Sequence, residues 1–343
     1  MRTLSLTLLT LSIWLTWSPG LSAQQPAACS AAGDVQFVCG QQAPEDLVVV
    51  PGAEWVVASA YSGSGGLYVI RVSDRTSMRA YPAPGASQRL DAQTYPTCPG
   101  PPDTTENRFQ THGLYMQAGP ASVHRLYVVG HGGRESVEVF EVDVRGSTPA
   151  LTWIGCAVAP DPIGLNSVRA LADGGFVASN FLPRGAPGGF QAVNKGELNG
   201  ELWEWHTGPG WSKVPGGEAS GANGLEISDD GRWIYVAAWG TQSFFRLSHG
   251  RTPVERNEVP LGFRVDNIRW ARDGSILAAG QGGGPGGQYT SVVKIDPDTL
   301  AVREIIRHPN AEAFGAGTVA VEVGDTIWVG SFRGDRLAVF PAP

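Results

Sequence analysis

The chain has 343 residues, a formal charge of −7 and 17% charged residues, with 46 Gly, 25 Pro and 11 Trp. No Lys/Arg block occurs, so nucleic acid is not an expected partner, and past residue 23 no stretch is long or apolar enough to span a membrane. Helical periodicity is nearly absent, and short β-rich runs divided by Gly, Pro and Asp-Gly turns point to an all-β class.

At the N-terminus a single charge, Arg2, precedes an apolar run from Leu4 to Trp17. Ser18-Pro19-Gly20 break the run, and Leu21-Ser22-Ala23 offers a small-residue cleavage site. This pattern predicts a secretory signal peptide over 1–23. A membrane anchor would need about 20 apolar residues. Ala27-Ala28-Cys29 is too far from the apolar run, and preceded by Pro26, to serve as a lipoprotein site. The protein is therefore expected to be exported, periplasmic or extracellular, with 24–343 as a single domain. Cys29, Cys39, Cys98 and Cys156 form an even set, which outside the cytoplasm favours disulfides. Three pairings are open, and Cys29–Cys39 with Cys98–Cys156 is the expected one. No C-x-x-C spacing supports a zinc site.

An internal repeat follows. Glu45-Asp46-Leu47-Val48-Val49-Val50 leads through a turn to Trp55-Val56-Val57-Ala58-Ser59. Asn166 to Leu171 leads through Asp173-Gly174 to Phe176-Val177-Ala178-Ser179. Asn223 to Ser228 leads through Asp230-Gly231 to Trp233–Ala238, and Asp266 to Trp270 through Asp273-Gly274 to Ile276–Ala279. Weaker copies begin at His112 and Gly317. The six starts, near 45, 112, 166, 223, 267 and 318, are mostly 44–57 residues apart, with one longer first interval. Third and fourth strands can be read after each pair, as in Gly200–Trp205 and Ser291–Asp296. Four strands per repeat of this length predict a six-bladed β-propeller with four-stranded blades. Val35-Gln36-Phe37-Val38 is expected to close the ring beside Leu337-Ala338-Val339-Phe340, which removes exposed strand edges. The Gly/Pro-rich stretches near 97–103, 184–189 and 282–287 read as long surface loops.

In a propeller the first strand of each blade lines the central channel, so the residues opening these strands become neighbours. They are Glu45, His112, Asn166, Asn223, Asp266 and Asn267, while the sixth copy offers only Gly317 and Thr318. Two carboxylates and three amides make an oxygen-only donor set, which suits Ca²⁺ better than Zn²⁺ or Cu²⁺. Any single Asn at a strand start could instead cap a turn; recurrence at equivalent repeat positions favours the metal.

Glu45-Asp46-Leu47, His112-Gly113, Val128-Val129-Gly130-His131, Leu165-Asn166, Ala222-Asn223-Gly224 and Val265-Asp266-Asn267-Ile268 occur in this order, with Ser136–Phe140 and Ile227–Gly231 as flanking segments. From about 44 to 331 the chain resembles the paraoxonase/arylesterase family and, more loosely, the gluconolactonase and regucalcin propellers. The resemblance implies calcium held by Glu45, Asn166, Asn223, Asp266 and Asn267, and a catalytic pair His112 and His131 that activates water. A divalent cation would polarise an ester or lactone carbonyl, and a histidine has the basicity to take the proton of water. The resemblance also implies a second, structural calcium at Asp46 and the position after Asn166. That position here is Ser167, a neutral and weaker ligand. The disulfide that joins the chain ends in that family has no counterpart, since no Cys follows Cys156.

Other motifs lack their context. Gly282, Gly284 and Gly287 fit G-x-G-x-x-G, but a strand from Tyr289 to Ile295 follows where a dinucleotide site needs a helix. No G-x-S-x-G elbow occurs. His124, His206, His249 and His308 read as structural. The expected function is thus a calcium-dependent hydrolase of small-molecule lactones or aryl esters. The alternatives are a sugar lactonase of the gluconolactonase type and a secreted binding propeller with a structural metal. Tyr61 to Pro102 and the loops near Phe181 and Trp239 are expected at the mouth, where Phe181, Trp239 and Phe332 would favour an apolar substrate.

Overall fold

The computed structural model describes residues 29–84 and 86–343. The expected signal peptide at 1–23 lies outside them. Among the described residues, six sheets, each built on four antiparallel strands, form a six-bladed β-propeller. Blade 1 runs through Leu47–Val49, Trp55–Ser59, Leu67–Arg71 and Ser77–Tyr81. Blades 2 to 5 start with the inner strands Phe109–Gln117, Leu165–Ala170, Ala222–Ile227 and Arg264–Trp270. Blade 6 takes Gly317–Val323, Thr326–Ser331 and Arg336–Pro341 from the C-terminal end, and Gln36–Cys39 as its outermost strand. That closing strand pairs antiparallel with Arg336–Pro341, Gln36 opposite Val339 and Cys39 opposite Arg336, as the sequence predicts.

Second strands such as Trp55–Ser59 and Phe176–Asn180 are buried along their whole length. Each is covered on both faces by neighbouring blades, so its sequence is an apolar run, not an alternation. Outermost strands such as Val302–Pro309 face solvent and carry the charges. The longer first interval of the repeat holds an added strand, Ser87–Gln88, parallel to Ala150–Val158 in blade 2. The same connection is tied down by Cys98–Cys156, and Cys29–Cys39 secures the closing strand. Both pairings match the expected ones.

Two local readings differ. Residues 282–287 do not form a loop: Ile276–Gly284 and Gly287–Ile295 continue as one hairpin, with Gly282 opposite Tyr289 and Gly284 opposite Gly287. Ladder hydrogen bonds outweigh the glycines' weak strand preference. The stretch near 184–189 leads into a helix, Gly189–Asn194, that the sequence pattern does not signal.

The feature that positions the site is a shared irregularity. In blades 2 to 6 the inner strand loses register with its neighbour between Thr111/Leu114, Leu165/Val168, Ala222/Leu225, Val265/Ile268 and Gly317/Ala320. The residues skipped are His112-Gly113, Asn166-Ser167, Asn223-Gly224, Asp266-Asn267 and Thr318-Val319. A bulge re-aims side chains that strict alternation would send to opposite faces. Two glycines let adjacent bulges approach. A Cβ on Gly113 would lie 2.3 Å from the Asn166 carbonyl oxygen, and one on Gly224 would lie 2.6 Å from Asn267 Cα.

An ionic clamp joins blades 3 and 4. His249 Nε2 is 2.7 Å from Glu204 Oε2, and the other Glu204 oxygen meets His206 Nε2. Hydrogen bonding to His249, and then His206, holds Glu204 down at about 2, and the Glu204 contact raises His249 above its ordinary value. The Glu204 contribution is complete above its ordinary pKa and disappears as pH falls toward about 2. The His249 contribution is complete below its ordinary pKa and disappears as pH rises through the folded value. The melting-temperature difference between wild type and Glu204→Gln is therefore expected to peak between about pH 4.5 and about pH 6.5 and to narrow on either side. Thermal scans across pH check this; a difference independent of pH would show that the clamp is not ionic.

Candidate functional site

At one mouth of the channel lies a cavity of about 500 Å³. Glu45, His112, Asn166, Asn223 and Asp266 face it from blades 1 to 5, and His131 joins them from the second strand of blade 2. Asn267 stands behind, donating from Nδ2 to Glu45 Oε1 at 2.6 Å. Blade 6 provides no side chain to the set but anchors it: Thr318 Oγ1 donates to the Glu45 carbonyl at 2.6 Å.

Four of these side chains carry a buried oxygen with no hydrogen-bond partner: Glu45 Oε2, Asn166 Oδ1, Asn223 Oδ1 and Asn267 Oδ1. Asp266 adds a carboxylate whose Oδ2 accepts from Gln281 Nε2 at 2.9 Å. Leaving a buried acceptor unpaired costs about 1–3 kcal/mol each, so four in one place call for a shared electrophile. Among the described residues no three His, Cys, Asp or Glu side chains are grouped as a metal site; here the donors are two carboxylates and three amide carbonyls. That set fits a hard divalent cation such as calcium. Burial pushes Glu45 up to about 7, against the pull of the Asn267 hydrogen bond. Burial, then the neighbouring Glu45, raises Asp266 well above the carboxylate range. Both carboxylates are poorly accommodated as anions until a positive charge joins them.

The histidines form a chain. His112 Nδ1 lies 3.0 Å from His131 Nε2, and His131 Nδ1 lies 2.8 Å from Glu135 Oε1. Glu135 also accepts from the Leu165 backbone N–H at 2.8 Å. A carboxylate only accepts, so His131 Nδ1 carries its proton and His131 Nε2 accepts from His112 Nδ1–H. This leaves His112 Nε2 bare, 3.5 Å from Glu45 Oε2. Burial pushes His112 down to about 4, so its ring is neutral at pH 7. Tyr61 packs over the His112 ring with centroids 4.4 Å apart.

The outer wall is apolar. Phe181, Leu182, Phe190, Trp239 and Phe332 line it. Phe190, on the helix Gly189–Asn194, packs against Phe181 and Trp239 with centroids 5.9 and 5.1 Å away. Of the remaining histidines, His124 Nδ1 accepts from the Gly119 N–H, and His308 packs on Phe340, both away from the cavity.

Asp46, the residue after Glu45, is the position at which the resemblance implies a second calcium. Its carboxylate is fully buried and accepts from the Leu47 and Leu114 backbone N–H groups at 2.8 and 2.6 Å. The guanidinium of Arg269 also donates to it. Arg269 donates further to the carbonyls of Ile268, Leu114 and Leu47 at 2.7, 2.8 and 3.3 Å. A side-chain cation thus lies opposite Asp46, while Ser167 Oγ is buried without a hydrogen-bond partner. Arg269, Glu135 and Gln281 were not distinguishable as site residues in the sequence. Glu135 follows His131 by four residues within a Gly-rich turn, a signal too common to weigh alone.

Neither a protein-family model nor a curated protein matches the chain. Solved structures do. A luciferin-regenerating enzyme superposes with a TM-score of 0.56 at 13% identity, covering 89% of this chain and 94% of that one. A putative gluconolactonase gives 0.54 at 14%, covering 90% and 92%. The calcium-binding protein regucalcin from Agrobacterium tumefaciens strain C58 gives 0.51 at 12%, covering 89% and 90%. The likeness is one of fold: gluconolactonase- and regucalcin-like propellers share this architecture.

Replacing Arg269 by Met strands the buried Asp46 carboxylate. A loss of about 3–5 kcal/mol is expected, as for one partner of a buried ion pair, and adding Asp46→Asn should recover part of it. Chemical denaturation of the two variants checks this; equal stability of Arg269→Met and wild type would refute the role of Arg269.

Proposed function

We propose that this protein is an exported, calcium-dependent hydrolase of lactones or aryl esters. The observation that carries the reading is the set of unpartnered buried oxygens on Glu45, Asn166 and Asn223 at the cavity that His112 also lines, with that of Asn267 behind them. Glu45, Asn166, Asn223, Asp266 and Asn267 would hold the ion. Bound there, calcium supplies a Lewis acid that polarises the substrate carbonyl and offsets the negative charge of the tetrahedral intermediate.

The chain's own groups supply the rest. His112 Nε2 takes a proton from the attacking water, a role that requires the neutral ring its burial secures. As it does so, Nδ1–H shares its proton with His131 Nε2, and Glu135 compensates the charge arriving on the pair. The aromatic wall holds the apolar part of the substrate and limits water around the reacting carbonyl. The two disulfides are compatible with an oxidising compartment, which supports export. A sugar lactonase is the second reading, supported by the fold shared with a putative gluconolactonase; the apolar wall favours the first.

A hydrolysis screen of aliphatic lactones, aryl esters and sugar lactones, with and without chelator, tests the proposal. Chelator-sensitive turnover of the apolar substrates is expected. A protein that binds calcium yet turns over nothing would instead be a binding propeller with a structural metal.

Two variants separate metal from base. Asp266→Ala is expected to lower calcium affinity and the melting temperature together, because binding to the folded state alone stabilises it. His112→Gln should leave calcium binding intact while hydrolysis falls by about 10²–10⁴-fold, the usual contribution of a general base. Full activity of His112→Gln would make the histidine structural.

Calcium affinity should itself depend on pH. Glu45, with its pKa up at about 7 when no cation is bound, must lose its proton to act as a ligand. Calcium titrations should show affinity falling as pH drops from about 8 to about 6, with protons released on binding. Affinity unchanged over that range would exclude Glu45 as a ligand.

A further inference from the structure

Beside the candidate site lies a second cavity, of about 340 Å³, with a different character. Trp239, Gln281 and Phe332 line both, so the two share a wall. Gln281 holds that wall in place by donating to Asp266 and, at 2.7 Å, to the Gly317 carbonyl. The second cavity is lined by two arginines, Arg264 and Arg333, and by no carboxylate, in a protein whose net charge is −7.

Among the described residues neither arginine forms a salt bridge. Arg264 Nη1 is buried and has no hydrogen-bond partner. Its guanidinium lies 4.0 Å from the centroid of the Trp239 ring, which holds it in place without neutralising it. Burial pushes its pKa below the ordinary value with nothing negative to offset it. Arg333 is exposed and lies over Phe332 at 4.9 Å. The nearest acid in sequence, Asp335, pairs with Arg336 instead. Asn310 adds neutral polarity: its Oδ1 already accepts from Thr290 Oγ1 and the Ala316 N–H, both at 3.2 Å, which leaves its NH₂ as the uncommitted end. A planar fork with a free N–H, a second cation and amide donors are the elements that recognise an oxyanion.

We propose that this second cavity is an anion subsite that takes a carboxylate or phosphate group carried by the substrate, with Arg264 as its primary ligand and Arg333 as its outer one. Trp239 separates the two halves. The face toward Phe181 and Phe190 serves the apolar body of the ligand, and the cationic side serves its anionic end. The subsite's role in substrate choice rests on the hydrolase reading; its binding of anions does not. Under that reading the substrates are amphipathic lactones or esters bearing a negative charge away from the scissile carbonyl, and neutral sugar lactones would leave the subsite unused.

Calorimetric titrations of the full chain with 3-phenylpropionate, phenyl phosphate and the neutral 3-phenylpropanamide test this. Wild type should bind at least one of the two anions about tenfold or more tightly than the amide, one bidentate charge-assisted contact being sufficient for that difference. Which anion is preferred identifies the natural head group. Arg264→Gln should abolish the preference and Arg333→Gln should reduce it, with the melting temperature of each close to wild type. Anion binding that remains in the Arg264→Gln, Arg333→Gln double variant comes from elsewhere and overturns the proposal, as does a wild type with no preference for anions. If Arg264→Gln abolishes anion binding while no lactone or ester is hydrolysed by wild type, the subsite stands and the hydrolase reading falls.

Discussion

Three carboxylates, Glu45, Asp46 and Asp266, are buried where the inner strands of the propeller converge, and an uncompensated buried charge is among the least favourable things a fold can contain. The molecule meets this in two ways. Asp46 receives an internal cation, Arg269, which also gathers carbonyls from the blades around it. Glu45 and Asp266 receive hydrogen bonds from Asn267 and Gln281 but, among the described residues, no salt bridge from Lys or Arg. Under the proposed reading their compensation is a calcium ion. Under that reading one carboxylate is committed to architecture and two are left to chemistry, although Asp46 directly follows Glu45 in blade 1 and Asp266 enters from blade 5.

The bulges make this division possible. An inner strand in regular register would send Asp266 and Asn267 to opposite faces. The register break between Val265 and Ile268 frees both from that alternation. Because the same break recurs in five blades, one local deformation repeated by the ring assembles a site from residues far apart in sequence. Gly113 and Gly224 are small because their neighbours' backbones occupy the space a side chain would need. The hydrogen-bonded chain from His112 through His131 to Glu135 depends on the same geometry, since His112 lies in the blade 2 bulge and His131 faces it from the adjacent strand.

The fold is shared with proteins whose sequences are about as different as folded relatives become, at 12–14% identity. What they hold in common with this chain is the fold. The side chains that decide chemistry vary over it. In this chain the fold carries Arg269 in the channel, the aromatic cluster of Phe181, Phe190 and Trp239, and Arg264 and Arg333 in the cavity beside it.

The repeat, the blade count, the closing strand and the two disulfides were legible in the sequence because each depends on local periodicity or on a small number of cysteines. The residues opening the inner strands could be gathered into one ring for the same reason: propeller symmetry maps equal repeat positions to neighbouring places. The sequence did not reveal that 282–287 continues a hairpin or that a helix carries Phe190, because ladder pairing and packing override weak local preference. Nor could it single out Glu135, Gln281, Arg269 or Arg264. Each acquires its role from a partner on another strand or blade, Glu135 from Leu165 and His131, Gln281 from Asp266, Arg269 from Asp46, Arg264 from Trp239. Sequence determined which residues repeat; only the tertiary structure decided which charges meet, because electrostatic partnership is set by distances of a few ångströms that no spacing along the chain encodes.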